Sequence, residues 1–173
     1  KSNEFLVSTL SAVVEYRNAE SREHIHRVRY ITEVLLNYLI QYYPEYQLDE
    51  EQVKLIVYAS ALHDLGKIAI PDSIMLKTGK LTEQEYEEVK KHTIYGCELL
   101  DQIRQEDNGF YRYCYDICRY HHERYDGSGY PDKLAGDDIP VWAQVVAIAD
   151  VYDTLVSGQV YRKPYAELEA VRM

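Results

Sequence analysis

His121-His122-Glu123-Arg124-Tyr125-Asp126-Gly127-Ser128-Gly129-Tyr130-Pro131 closes an apolar, aromatic helical pattern with two adjacent imidazoles, and a Gly/Pro turn follows at once. Ligand-type side chains therefore sit where a helix opens onto a loop. Upstream, Ala61-Leu62-His63-Asp64-Leu65-Gly66-Lys67 sets a His and an Asp side by side. Downstream, Val145-Val146-Ala147-Ile148-Ala149-Asp150 carries a carboxylate in a stretch with no other polar side chain after Gln144. These three stretches are expected to converge on one cluster of divalent metals.

Working outward, each flanking segment reads as helix. From Glu20 to about Tyr43, His24, Val28, Ile31, Leu35 and Tyr38 recur at spacings of three and four, with Glu20 one turn before His24 on the same face. His26 falls on the far side and is expected to be solvated. Pro44 stops the helix. Asp49 with Gln52 resembles a capping box, and Val53, Ile56, Val57 and Ser60 carry the next inner face to His63 and Asp64. Neighbours on a helix project about 100° apart, so these two meet at one point only at a helix end, where Gly66 is expected to relax the backbone. Asp64 has two oxygens and can bridge two metals while His63 binds one.

Thr82 and Glu85 read as a second capping box opening one long helix, whose inner face runs Tyr86, Val89, His92, Gly96, Leu99 and Leu100. A helix through Tyr111, Tyr115 and Cys118 delivers His121 and His122. Residues 2–17 form an amphipathic helix through Phe5, Leu6, Thr9, Leu10, Val13 and Tyr16. The most apolar helix runs from Ile139 to about Ser157. An unpaired carboxylate there would cost several kcal/mol, so Asp150 needs a partner, and a metal is the obvious one. Asp153, one turn later, is expected to orient a His ligand or to meet the substrate. Lys67, a cation beside the cluster, is read as waiting for a phosphate. The Gly-rich loop has no Walker spacing. No strand signal, repeat or dividing linker competes, so the expectation is one all-α domain over 1–173, a bundle of about six to eight helices with the metal cluster at its centre.

The 173 residues suffice for a substantial core. A net charge of −10 argues against gripping a nucleic-acid polymer, which rests on Lys and Arg, and a phosphate-bearing substrate would need metal cations to hold it. Three cysteines without a CxxC pair give no disulfide or zinc-ribbon signal; Cys114 and Cys118 are read as core thiols and the compartment as a reducing cytoplasm. No apolar run reaches membrane-spanning length and no signal peptide opens the chain, so no membrane contact is expected of this domain. It begins without an initiator Met and is expected to be a piece of a longer protein. Eighteen tyrosines stand against two phenylalanines, for which the sequence offers no functional reason.

The ordered set Glu20, His24, His63-Asp64, His92, His121-His122 and Asp150 resembles the HD superfamily of metal-dependent phosphohydrolases. More narrowly, HDLGKIAIPD, KTGKLTEQE, KKHTIYGCELL, HHERYDGSGYP and AIADVYDTL look like the HD-GYP domain, over roughly residues 20–163. The resemblance implies a bacterial, cytoplasmic phosphodiesterase that opens cyclic di-GMP to linear pGpG, with some members continuing to GMP, using two or three iron or manganese ions. By position it implies that His24, His63, Asp64 and Asp150 hold one metal and that Asp64 bridges to a second held by His92 and His121. His122 and Glu20 would support the fuller cluster. Lys67 would lie at the scissile phosphate with Asp64 in catalysis, and Gly129-Tyr130-Pro131 would shape the substrate pocket. A bridging water deprotonated near neutral pH would be the nucleophile. Because imidazole ligates only when neutral, activity is expected to fall below about pH 6. A preceding sensor or receiver domain is also implied, and a homodimer is allowed.

The sequence departs from the family where Gln159-Val160-Tyr161-Arg162 replaces the usual Arg-Pro-Tyr-Arg or Arg-Pro-Tyr-Lys, and where Gln144 stands in place of Arg. Arg162 remains to hold one phosphate. The chain ends earlier than such domains usually do, so a closing helix is expected beyond it. These departures motivate a second reading, a regulatory module that binds metal and nucleotide or a partner without turnover. Two further readings are a phosphohydrolase of another nucleotide and a diiron oxygenase on the same scaffold, against which Lys67 and the Gly-Tyr-Pro loop speak.

Overall fold

The computed structural model describes residues 2–17, 22–104, 109–157, 169 and 171. Among them are eight α-helices and no strand: α1 (Ser2–Arg17), α2 (Arg22–Tyr42), α3 (Glu50–Ser60), α4 (Asp72–Met75), α5 (Glu83–Lys90), α6 (His92–Ile103), α7 (Gly109–Tyr120) and α8 (Val141–Ser157). Short 3-10 turns occupy Pro44–Tyr46, Leu65–Ala69 and Gly136–Asp138. Both expected capping boxes are present, Asp49 with Gln52 at the start of α3 and Thr82 with Glu85 at the start of α5. Each satisfies two backbone N–H groups that a helix start leaves open.

The helices enclose one core. α2 packs on α3 and α8, and α7 packs on α3, α6 and α8, around Val28, Leu36, Ile56, Leu62, Ile117, Cys118, Val146 and Ala149. The three cysteines are buried thiols, and burial pushes Cys97 and Cys114 up to about 12, which removes thiolate chemistry at neutral pH.

Several expected faces are shifted. In α1 the buried residues are Val7, Ser11 and Val14, while Phe5 is 75% and Tyr16 96% exposed, so the stripe read from the sequence lies on the wrong side. This helix is apolar on two faces, and periodicity alone cannot say which one a core covers. In α2 the inner face is Ile25, Val28, Thr32 and Leu36, with Ile31 and Leu35 at its margin and Tyr38 exposed. In α7 the buried positions are Phe110, Tyr113, Cys114, Ile117 and Cys118, and Tyr111 and Tyr115 are half-buried. The segment expected as one long helix from Thr82 is two, α5 and α6, divided at Lys91.

Beyond α3 the chain tightens into i→i+3 hydrogen bonds, Leu62 N to Ala59 O, Leu65 N to Leu62 O and Lys67 N to Asp64 O. The turn Leu65–Ala69 lies against α6. Gly66 makes that contact possible: a Cβ there would come 1.8 Å from the carbonyl oxygen of His92 and 2.5 Å from Gly96 N. Its φ is not left-handed, so close approach, and not the expected backbone relaxation, is why glycine stands here. The contact brings His63-Asp64 and His92 to one place.

Candidate metal centre

Three of the site histidines sit at or just past helix ends, and their position fixes their tautomer. His63 Nδ1 lies 2.8 Å from Ser60 O, His92 Nδ1 2.6 Å from Val89 O and His121 Nδ1 2.8 Å from Ile117 O. These carbonyls belong to the last turns of α3, α5 and α7, and although each also accepts a backbone N–H, a carbonyl oxygen has a second lone pair for the ring. A carbonyl only accepts, so each Nδ1 donates and each Nε2 turns a lone pair inward.

Those lone pairs meet Asp64. Its Oδ1 is 3.2 Å from His92 Nε2 and 3.6 Å from His121 Nε2, and the two Nε2 atoms are 3.4 Å apart. This oxygen is buried and makes no hydrogen bond. On its other side, Asp64 Oδ2 is 3.2 Å from His63 Nε2 and 2.8 Å from Lys67 Nζ. Two groups of ligand atoms, each within 4.8 Å, share Asp64: Asp64 with His92, His121 and His122, and Asp64 with His24 and His63. Asp150 Oδ1 joins the second at 3.2 Å from His24 Nε2 and 3.7 Å from His63 Nε2. Lone pairs converging on a buried carboxylate repel unless a cation lies among them, so this donor set fits divalent metals, and mixed imidazole and carboxylate donors suit iron, manganese or zinc.

Charge follows the same pattern. Burial alone would raise the Asp64 carboxyl, but Lys67 and His63 hold it well below its ordinary value. Burial would also raise Asp150, and His24 and His63 pull it down. Burial lowers His121, and burial with the neighbouring His121 and His92 lowers His122 to about 2. Both imidazoles therefore favour their neutral form more than a free histidine does, His122 most strongly.

The other residues singled out in the sequence lie partly at the pocket and partly away from it. Lys67, read from the sequence as a phosphate partner, pairs with Asp64 in this structure while lining the pocket above it. Asp64, Lys67, His122, Asp150 and Thr154 surround this pocket of about 250 Å³, with Val151 and Leu155 as its apolar wall. Gly129, Tyr130 and Pro131, expected at the substrate, are not among its lining residues. The Tyr130 ring stacks on His122 at 4.8 Å and 18°, and Tyr130 N donates to His122 O at 3.3 Å. A Cβ on Gly129 would come 2.5 Å from the backbone of His122, Glu123 and Arg124, so the loop seats only with glycine there. Asp153, expected to orient a histidine or meet the substrate, has both oxygens engaged by His24 and Arg27. Gln144 donates to Ile139 O at 2.8 Å and does not line the pocket. His26 is exposed, as expected. Glu20, Gln159 and Arg162 lie outside the described residues.

Two supporting residues escaped the sequence reading. Glu123, 3% exposed, accepts from Asp132 N at 2.7 Å and Leu134 N at 3.1 Å, and so pins the loop carrying Gly129-Tyr130-Pro131. Arg27 holds Asp153. A carboxylate next to His122 reads as solvated by default, and only the three-residue spacing of Arg27 from His24 could have signalled the second.

A family model described as HD domain matches residues 9–173. A cyclic di-GMP phosphodiesterase response regulator of Xanthomonas campestris is 42% identical over 159 residues, 92% of this chain and 39% of that protein. A 3'3'-cGAMP-specific phosphodiesterase 2 of Vibrio cholerae is 41% identical over 162 residues, 94% of this chain and 29% of its own length. A cyclic di-GMP phosphodiesterase of Thermotoga maritima is 36% identical over 167 residues, 96% of this chain and 43% of its own. The chain thus spans less than half the length of these curated relatives. No helix among the described residues is long and apolar enough to cross a membrane.

Proposed function

From the premise that this chain belongs to the HD domain family, we propose that it is a metal-dependent phosphodiesterase that opens cyclic di-GMP to linear pGpG within a longer signalling protein. One observation carries the reading: two groups of ligand atoms share the single carboxylate of Asp64. A bridging carboxylate between two imidazole-rich halves suits a two-metal clamp on a phosphodiester. Iron or manganese is the expected occupant, which His24, His63, Asp64 and Asp150 would hold on one side and Asp64, His92, His121 and His122 on the other, with Glu20 the expected support of a fuller cluster. Bound ions would supply an activated water and Lewis-acid polarisation of the phosphoryl group.

The protein's own groups do the rest. Lys67 neutralises Asp64 at 2.8 Å. Once cations take over that role, its ammonium is placed at the pocket to stabilise negative charge on a phosphoryl oxygen. The Tyr130 ring and the Glu123-pinned loop hold the His122 imidazole in one orientation. Val151 and Leu155, which wall this pocket, also wall an apolar groove of about 620 Å³ bounded by α2, α8 and the 123–125 segment, and this supports room for a base beside the phosphate. Arg162 is the expected second phosphate partner. Gln144, which motivated the inactive regulatory reading, donates to Ile139 O and lines the 620 Å³ groove rather than the metal pocket, so it puts no cation beside a bound base. The Vibrio relative at 41% identity favours 3'3'-cGAMP as the competing substrate.

Both cyclic dinucleotides should be offered to manganese-loaded protein and to Asp64→Ala, with products separated by chromatography. The expected outcome is linear pGpG from cyclic di-GMP with wild-type protein, and neither metal uptake nor turnover with Asp64→Ala. Cleavage of 3'3'-cGAMP alone would reassign the substrate, and turnover retained by Asp64→Ala would contradict the bridging role.

A further inference from the structure

The Nδ1 proton of His24 has a different acceptor from those of His63, His92 and His121. Those three donate to peptide carbonyls at helix ends. His24 sits in the first turn of α2, where a helix has N–H groups to spare and its carbonyls are already taken. Its Nδ1 lies instead 2.6 Å from Asp153 Oδ2, across the α2–α8 packing. Asp153 is 1% exposed and fixed from three sides: Arg27 Nε reaches Oδ1 at 2.5 Å, Arg27 Nη2 reaches Oδ2 at 3.2 Å, and Ser157 Oγ reaches Oδ1 at 3.2 Å. A carboxylate behind an imidazole makes it a stronger donor than a peptide carbonyl does, and locks the ring more firmly.

We propose that Asp153, held by Arg27, makes the two halves of the metal cluster unequal. The half built from His24, His63, Asp64 and Asp150 then takes its divalent ion first, and the half built from His92, His121 and His122 takes its ion second. Asp153 is a positioning residue in this scheme, acting through His24. The direct donors point the same way, since the first half offers two carboxylates and the second only its share of Asp64, and manganese favours oxygen donors. Lys67 opposes the order by pairing with Asp64 Oδ2 at 2.8 Å. Its charge rides on a flexible four-carbon stem and can withdraw, whereas Asp153 is clamped in place.

The inference rests on the reading that this cluster holds metal, and the test separates the two. Metal-free chain is titrated anaerobically with Mn(II), following free and bound ion by electron paramagnetic resonance. His92→Ala isolates the first half and His24→Ala the second, so Mn(II) should bind more tightly to His92→Ala; the reverse order overturns the scheme. Adding Asp153→Asn should weaken binding roughly 10–100-fold in the His92→Ala background and leave it unchanged in the His24→Ala background. The unchanged value also reports that the fold survives. An equal loss in both backgrounds, or none in either, overturns the role of Asp153. Arg27→Lys, which keeps the charge but loses the fork, should move the His92→Ala value in the same direction by a smaller factor. Wild-type protein that binds no Mn(II) would instead remove the metal reading itself.

Discussion

Glu123 shows how a residue outside the ligand cluster supports the site. Its buried carboxylate is an acceptor for two backbone N–H groups of the loop that stacks Tyr130 on His122. Glu123→Gln presents an amide N–H₂ to one of those donors and leaves it unsatisfied, at a cost of about 1–3 kcal/mol. For a chain of this size that corresponds to a thermal midpoint lower by roughly 2–4 °C per kcal/mol. An unchanged midpoint would show that the loop is held by other contacts. At the same scale, His63 and Asp64 were legible as a pair because their side chains are ligand types. Arg27 and Glu123 were not, because surface-type residues become buried only through a tertiary partner that lies 126 residues away for Arg27 and in the following loop for Glu123.

Among the elements, the turn Leu65–Ala69 against α6 sets the spacing between the two halves of the cluster. Gly66→Ala would force a methyl carbon into the His92 carbonyl, now 1.8 Å from that position. Overpacking of this kind costs about 1–3 kcal/mol, and more where only backbone can yield. The variant should lose Mn(II) affinity together with stability, measured by metal titration and thermal unfolding; wild-type affinity would mean the turn can shift without moving Asp64. Helix positions and both capping boxes were readable from local rules, because side-chain caps and periodicity are encoded within a few residues. The buried face of α1 was not, since Phe5, Leu6 and Val13 match Val7 and Val14 in hydrophobicity. Only the packing of α1 on α3 and on the turn Leu65–Ala69 selects between them. Gly66 was noticed for the wrong reason, because close approach between distant segments leaves no local trace.

For the whole molecule, a metal-free centre of buried imidazoles is a liability in acid. His121 and His122 have folded values below the ordinary 6.5, so the unfolded chain binds protons first as pH falls. Stability is therefore retained above about pH 6.5 and lost below it, by up to about 1.4 kcal/mol per pH unit for each histidine. Chemical denaturation of metal-free protein at pH 7.5, 6 and 5 should show this decline, and a flat profile would mean these rings are hydrated when metal is absent. The all-α architecture was legible from helical periodicity, and the convergence of His24, His63, Asp64, His92, His121, His122 and Asp150 from ligand-type side chains placed at helix ends and on inner faces. The substrate is less so, because Gln159 and Arg162 fall outside the described residues and the relatives divide between two cyclic dinucleotides. The decisive measurement loads the protein anaerobically with Fe(II) or Mn(II), counts metals per chain and follows cyclic di-GMP in the same sample. Two or three metals with linear pGpG appearing is the expected result. Full metal occupancy with cyclic di-GMP left intact would contradict it.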